Sequence, residues 1–120
     1  MKGVNKNYYI YGFKELVAYK KAIALYSDLQ ADIQELNLKD NCSIRKKMGK
    51  VASSIARAKG SQYYVEQQIY HYKQVLKYTY QVQSELDRCN VKNADGYIET
   101  LIEIRKLINT YINKINRGEI

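Results

Sequence analysis

The sequence predicts an all-α protein, an antiparallel up-down-up-down four-helix bundle, on three observations. Its 120 residues include no proline and six glycines, so the usual punctuation of β-sandwiches and Pro-rich linkers is missing. Apolar residues recur at spacings of three and four in four separate runs, which is the period of a helix. Short polar stretches divide the runs, and short connections between long amphipathic helices force neighbours to run antiparallel. At this length a fold buries roughly two thirds of its unfolded surface, enough for one core without metal or disulfide. Residues 1–12 read as an N-terminal extension and 13–120 as the bundle.

The first helix is expected over about Phe13 to Leu36. Ala18, Ala22, Leu25, Leu29, Ile33 and Leu36 form its inner stripe, widened by Phe13, Leu16, Tyr19, Ile23 and Tyr26. Asp40 or Asn41 then caps the second helix by accepting from its free N–H groups. That helix runs from about Ser43 to Lys59 with Ile44, Met48, Val51, Ile55 and Ala58 inward, and Gly60 is expected as a left-handed C-terminal cap. A third helix over about Gln62 to Cys89 turns Val65, Ile69, Tyr72, Leu76, Thr79 and Leu86 to one face. The polar stretch Asn90 to Asn93 breaks the pattern. A fourth helix, about Ala94 to Asn116, carries Tyr97, Leu101, Ile104, Ile108, Tyr111, Ile112 and Ile115, with Gly118 just past its end. Ile102 and Leu107 fall outside that stripe, and exposed apolar surface of this kind marks subunit contacts.

No segment approaches the ~18 uncharged apolar residues of a membrane span, and the first residues lack the apolar region of a signal peptide. A cytoplasmic setting is therefore expected, with both thiols reduced. Cys42 and Cys89 form no CxxC pair and predict no metal site. A hairpin of the second and third helices brings them toward each other, which leaves a disulfide open in oxidising conditions. The expected state is two small buried apolar side chains.

Net charge is +8. Residues 39–59 hold Lys39, Arg45, Lys46, Lys47, Lys50, Arg57 and Lys59 against Asp40 alone, so +6 of that charge sits in one segment. A concentrated positive patch favours a polyanionic partner, nucleic acid above all. At about 100° per residue, Lys46, Lys50, Ser53 and Arg57 point away from the Ile44/Val51/Ile55 stripe and form one ridge, flanked by Arg45, Lys47 and Lys59. Several cations on a rigid surface neutralise phosphates and release condensed counterions, and Ser53 offers a neutral hydrogen bond. Thirteen tyrosines stand against one Phe and no Trp. Most read as Phe replacements at half-buried positions, but Tyr63 and Tyr70 project outward near Lys77, where they could stack bases of a single strand.

Catalysis finds no motif: one histidine, His71, and no Walker loop, HExxH or GxSxG. No enzyme, metal or cofactor is expected. Ala56-Arg-Ala-Lys-Gly60-Ser resembles the turn of a helix-turn-helix, but the apolar position expected after it is occupied by Glu66.

The block Phe13-Lys-Glu-Leu16-Val-Ala18-Tyr19-Lys-Lys21-Ala22-Ile-Ala-Leu25 resembles the opening F-x-x-L-x-V-W-x-K-A-x-x-L of the bacterial 23S rRNA intervening-sequence proteins. Val51 to Gly60 is similar to that family's second helix in its apolar positions and final Gly, with Arg57 and Ala58 where the family carries Glu and Gly. Tyr97 to Ile115 is similar to the last helix. The resemblance covers about residues 13–116 and implies a ring-shaped homopentamer of four-helix bundles. It also brings in the accessory variability protein (Avd) of diversity-generating retroelements, which implies nucleic-acid binding and a reverse transcriptase as partner. Arg57 for Glu leans toward that branch.

Together these readings predict a non-catalytic, basic, oligomeric accessory protein that binds nucleic acid, RNA ahead of DNA. Two rivals stand beside it: a protein-interaction scaffold or intervening-sequence protein without such a role, and a helix-turn-helix DNA regulator.

Overall fold

The structure, a computed structural model, describes residues 16–35 and 43–119. Four helices account for almost all of them: α1 Val17–Glu35, α2 Ile44–Gly60, α3 Val65–Arg88 and α4 Ala94–Asn116. Each helix packs on its neighbours in chain order and α4 closes back on α1, the arrangement of a four-helix bundle. No strand occurs among the described residues, and no helix there is long and apolar enough to cross a membrane.

The core follows the helical period. Leu25 and Leu29 of α1, Ile44, Met48, Val51 and Ile55 of α2, Val75, Val82 and Leu86 of α3, and Leu101, Ile104 and Ile108 of α4 are all buried. Each such side chain stabilises the fold by roughly 1.5–3 kcal/mol relative to exposure. Thr79, fully buried among them, donates its hydroxyl to the Leu76 carbonyl at 2.7 Å, so its one donor is satisfied locally. Tyr97 closes the α1–α4 side by donating to the Asp32 carboxylate. Burial, and that hydrogen bond, push the Tyr97 phenol well above its usual range.

Several boundaries differ from expectation for local reasons. Phe13, Leu36, Asp40 and Asn41 lie outside the described residues, as do the 1–12 extension, Lys39 and Cys42. Val65, placed on the inner stripe by its spacing, is 51% exposed, because it opens α3 beyond the end of the core. Gly60 is the last residue of α2 and is not left-handed. The helix ends instead through the Ser61 N–H, which donates to the Arg57 and Ala58 carbonyls. The left-handed positions are Asn90 (φ 51°) and Asn93 (φ 66°) in the α3–α4 connection; asparagine is the non-glycine residue that tolerates that region best. Gly118 does sit past α4 with φ 70°, as its position predicted. Ile23 is exposed, while Leu107 packs partly against the core.

The expectation of two free thiols is corrected: Cys89 is disulfide-bonded, and no described cysteine is free. The hairpin explains why. The start of α2 and the end of α3 are held together, with the Ser43 N–H donating to Glu85 Oε2 at 3.3 Å.

Candidate nucleic-acid interface

The outward face of α2 is built by one spacing. Lys46, Lys50, Ser53 and Arg57 follow one another at intervals of four, three and four residues, which keeps them on one edge of a helix. All four are exposed, and the eleven steps from Lys46 to Arg57 span about 16 Å of helix axis. The inner edge of the same helix is fixed by Ile44, Val51 and Ile55 at full burial, so the ridge cannot rotate inward without exposing the core. None of the three cations takes part in an ion pair among the described residues.

A second helix completes the surface. The Tyr78 ring of α3 lies between two ammonium groups, with Lys50 Nζ 5.4 Å and Lys77 Nζ 5.6 Å from its centroid. Such contacts hold an ammonium over a ring face at a cost in rotamer freedom, each contributing about 0.5–1 kcal/mol at an exposed site. Tyr70 stands seven residues before Lys77 on the same outward edge of α3, 58% exposed, with its ring edge-on to His71 at 5.3 Å. Lys50 of the α2 ridge and Lys77 of α3 thus share the Tyr78 ring, while Tyr70 stands on the outward edge of α3 with His71 as its ring neighbour.

The other residues that the sequence assigned to this face lie elsewhere. Lys47 turns toward α3 and pairs with Glu85 (Nζ to Oε1 3.8 Å), half-buried. Glu85 also accepts from the Arg88 guanidinium at 2.8 Å. That hydrogen bond, joined by the Ser43 N–H and the charges of Arg88 and Lys47, holds the Glu85 carboxyl down to about 2. Lys47 is therefore a strut of the hairpin. Arg45 is exposed but about 100° around the helix from Lys46. Lys59 lies about 140° from Lys46 by the same measure and lines a cavity of about 510 Å³ at the end of the bundle where α2 meets α3. Tyr63 lines that cavity too, apart from the ridge. Ser53 donates its hydroxyl to the Lys50 carbonyl at 3.3 Å, leaving its oxygen as an acceptor; meeting a phosphate requires that hydroxyl to turn outward.

Two features were missed by sequence reasoning. Sequence composition gives Tyr78 no role beyond that of a half-buried tyrosine, and periodicity alone does not pair Lys47 with Glu85. Both depend on the register of α2 against α3. A 3.6-residue period gives each helix its inner and outer edges but not which residues stand opposite.

Beside the ridge, Tyr19, Ile23 and Tyr26 of α1 and Gly49, Ala52 and Ala56 of α2 line an apolar groove of about 360 Å³. A Cβ added at Gly49 would stand 3.7 Å from the Tyr26 ring, ordinary contact, so this groove is shaped by small side chains more than by a tight backbone approach. Among the described residues no three His, Cys, Asp or Glu side chains gather as metal ligands. Comparison of the chain with family models, curated proteins and solved structures finds no match.

Proposed function

We propose that the protein is a non-catalytic accessory protein that binds single-stranded or structured nucleic acid, RNA ahead of DNA, through the α2–α3 face. The observation that carries this reading is the ridge of Lys46, Lys50 and Arg57, exposed and without carboxylate partners among the described residues, with Tyr78 bridging Lys50 to Lys77. Cations at fixed spacing on a helix neutralise successive phosphates, and Tyr70 supplies a ring on which a base can stack. Nothing on this face reads base edges, so affinity without strong sequence preference goes with it.

The resemblance to intervening-sequence proteins and to the retroelement accessory protein adds a partner and an assembly to the proposal: a reverse transcriptase, and a homopentamer. The apolar α1–α2 groove and the exposed Ile23 support self-association. Repeating the ridge around a ring multiplies phosphate contacts without improving each one. A cytoplasmic setting belongs to the same proposal. The scaffold reading is favoured by the same apolar groove, and it forgoes the cationic ridge. The helix-turn-helix reading is weakened by the hairpin, whose helices stay side by side from the Ser61 turn to the Ser43–Glu85 contact.

Fluorescence anisotropy with a single-stranded RNA oligonucleotide tests the reading. The expected result is saturable binding that falls steeply with salt and is lost on changing Lys46, Lys50 and Arg57 together to Glu. Intact binding by that variant would overturn the assignment.

A further inference from the structure

The cavity of about 510 Å³ at the end of the bundle is walled by residues of α2, α3 and α4, of the α2–α3 turn and of the entry to α1. That volume suits a small molecule. Its deepest lining residues are Gln68 and Tyr72 of α3, 5% and 2% exposed, while Tyr63 and Lys114 stand exposed at its mouth. Tyr72 meets Tyr111 of α4 in the wall, with ring centroids 5.7 Å apart and planes tilted by 49°. The Tyr72 hydroxyl accepts from the Gln68 side chain, and the Tyr111 hydroxyl accepts from the Ala18 N–H. Burial pushes both phenols above their usual range, so each keeps its proton to donate at neutral pH.

The lining carries charge of one sign. Lys59 and Lys114 reach it from the last turns of α2 and α4, and no described carboxylate lines it. Lys114 forms no ion pair among the described residues. Two ammonium groups match a phosphate monoester, which carries a charge of about −1.5 to −2 at neutral pH; a carboxylate would use only one of them. The tyrosine rings offer flat faces on which a heteroaromatic ring stacks. The two phenols and the Gln62 amide add donors and an acceptor. A plain hydrocarbon ring has no use for these, whereas the edge of a nucleobase carries both kinds of group. Because Gln68 and Tyr72 close the inner end, the cavity takes one nucleotide, where the α2 ridge takes a run of phosphates.

We propose that this cavity binds a single free nucleoside 5′-monophosphate, with its base against Tyr72 and Tyr111 and its phosphate at Lys59 and Lys114. The phenol hydroxyls and Gln62 meet the polar edge of the base, and Tyr63 covers it from the mouth. Lys46, Lys50 and Arg57 take no part, so the site stands or falls apart from the nucleic-acid face.

Isothermal titration calorimetry of the full chain tests this with AMP, GMP, CMP and UMP, each beside its nucleoside and ribose 5-phosphate. At least one nucleotide is expected to bind saturably. Its nucleoside should bind about tenfold more weakly or worse, because the charge-assisted hydrogen bonds are gone. Ribose 5-phosphate should lose a similar factor, about tenfold, with the stacked base. Absence of saturable binding by all four nucleotides would overturn the proposal. So would a nucleoside or ribose 5-phosphate that binds as tightly as the nucleotide; neither result depends on a variant. Lys114→Met alters an exposed side chain and is expected to weaken nucleotide binding about fivefold or more. Unchanged affinity in that variant would remove the phosphate from the cavity and overturn the assignment. The Lys46/Lys50/Arg57→Glu variant is expected to bind the nucleotide normally, even if its RNA binding is lost. Loss of nucleotide binding there would place the nucleotide on the α2 ridge and overturn the proposal.

Discussion

The two faces that meet along α3 use the same residue types to opposite effect. On the α2 side, Lys50 and Lys77 flank Tyr78 with their charges in solvent. On the α4 side, Arg105 lies beneath Tyr80 with almost none of its surface in water. The exposed cations keep their hydration, so holding them there is cheap, and their attraction for a polyanion is long-ranged, additive and weakened by salt. The buried guanidinium has already lost its water, so one matched acceptor is worth more to it than any number of distant charges. A cation's depth beneath the surface therefore decides whether it answers to total charge or to its nearest neighbours.

The sharpest break between the faces is expected from charge reversal. Changing Lys46, Lys50 and Arg57 to Glu should lower RNA affinity about a hundredfold or more at low salt, with helicity unchanged because all three side chains are exposed. Comparable loss from reversing Lys20 and Lys106, which stand on other helices, would reduce the effect to net charge alone. A smaller effect separates the two sides in stability. Arg105→Met removes a buried donor, Nη1, that has no hydrogen-bond partner, and is expected to leave urea-unfolding stability unchanged or raise it by up to about 1 kcal/mol, whereas Lys50→Met should stay within about 0.5 kcal/mol. A loss above about 2 kcal/mol in Arg105→Met would mean that the guanidinium is a structural strut.

The hairpin that supports both faces can be probed through Glu85. Its carboxyl is depressed from 4.5 to about 2, so it contributes stability above pH 4.5, and that contribution fades as pH falls toward 2. Glu85→Gln is expected to lower stability near neutral pH and to flatten the acid limb of the unfolding curve in that window. An unchanged acid limb would remove Glu85 from the hairpin's support. The smallest expected change is in Tyr78→Leu, which keeps the packing but removes the ring face between Lys50 and Lys77. RNA affinity should fall about two- to fivefold, read by the same anisotropy titration.

The sequence made some of this legible and hid the rest for a physical reason. Ile44, Val51 and Ile55 announce the inner edge of α2 by spacing alone, and the ridge of Lys46, Lys50 and Arg57 follows because both edges belong to one rigid rod. Whatever depends on two helices at once was out of reach. Lys47 was placed with the ridge until Glu85 of α3 drew it aside, and Lys59 proved to face the bundle's end. Arg105 is the strongest case. A periodic pattern reads an arginine between Ile104 and Lys106 as solvent-facing, and only the close approach of Tyr80 and Gln83 buries it. Gly60 taught a smaller lesson: a glycine at a helix end is permitted to turn left-handed but need not do so when Ser61 can satisfy the last carbonyls.

The most direct measurement is the salt dependence of RNA binding by the unmodified chain beside the Lys46/Lys50/Arg57→Glu variant. If those three side chains hold phosphates, a plot of log affinity against log salt concentration should be steep for the unmodified chain and shallower by about two for the variant, at roughly 0.7 per phosphate on a single strand. Equal slopes would contradict the assignment of the α2 ridge to phosphate.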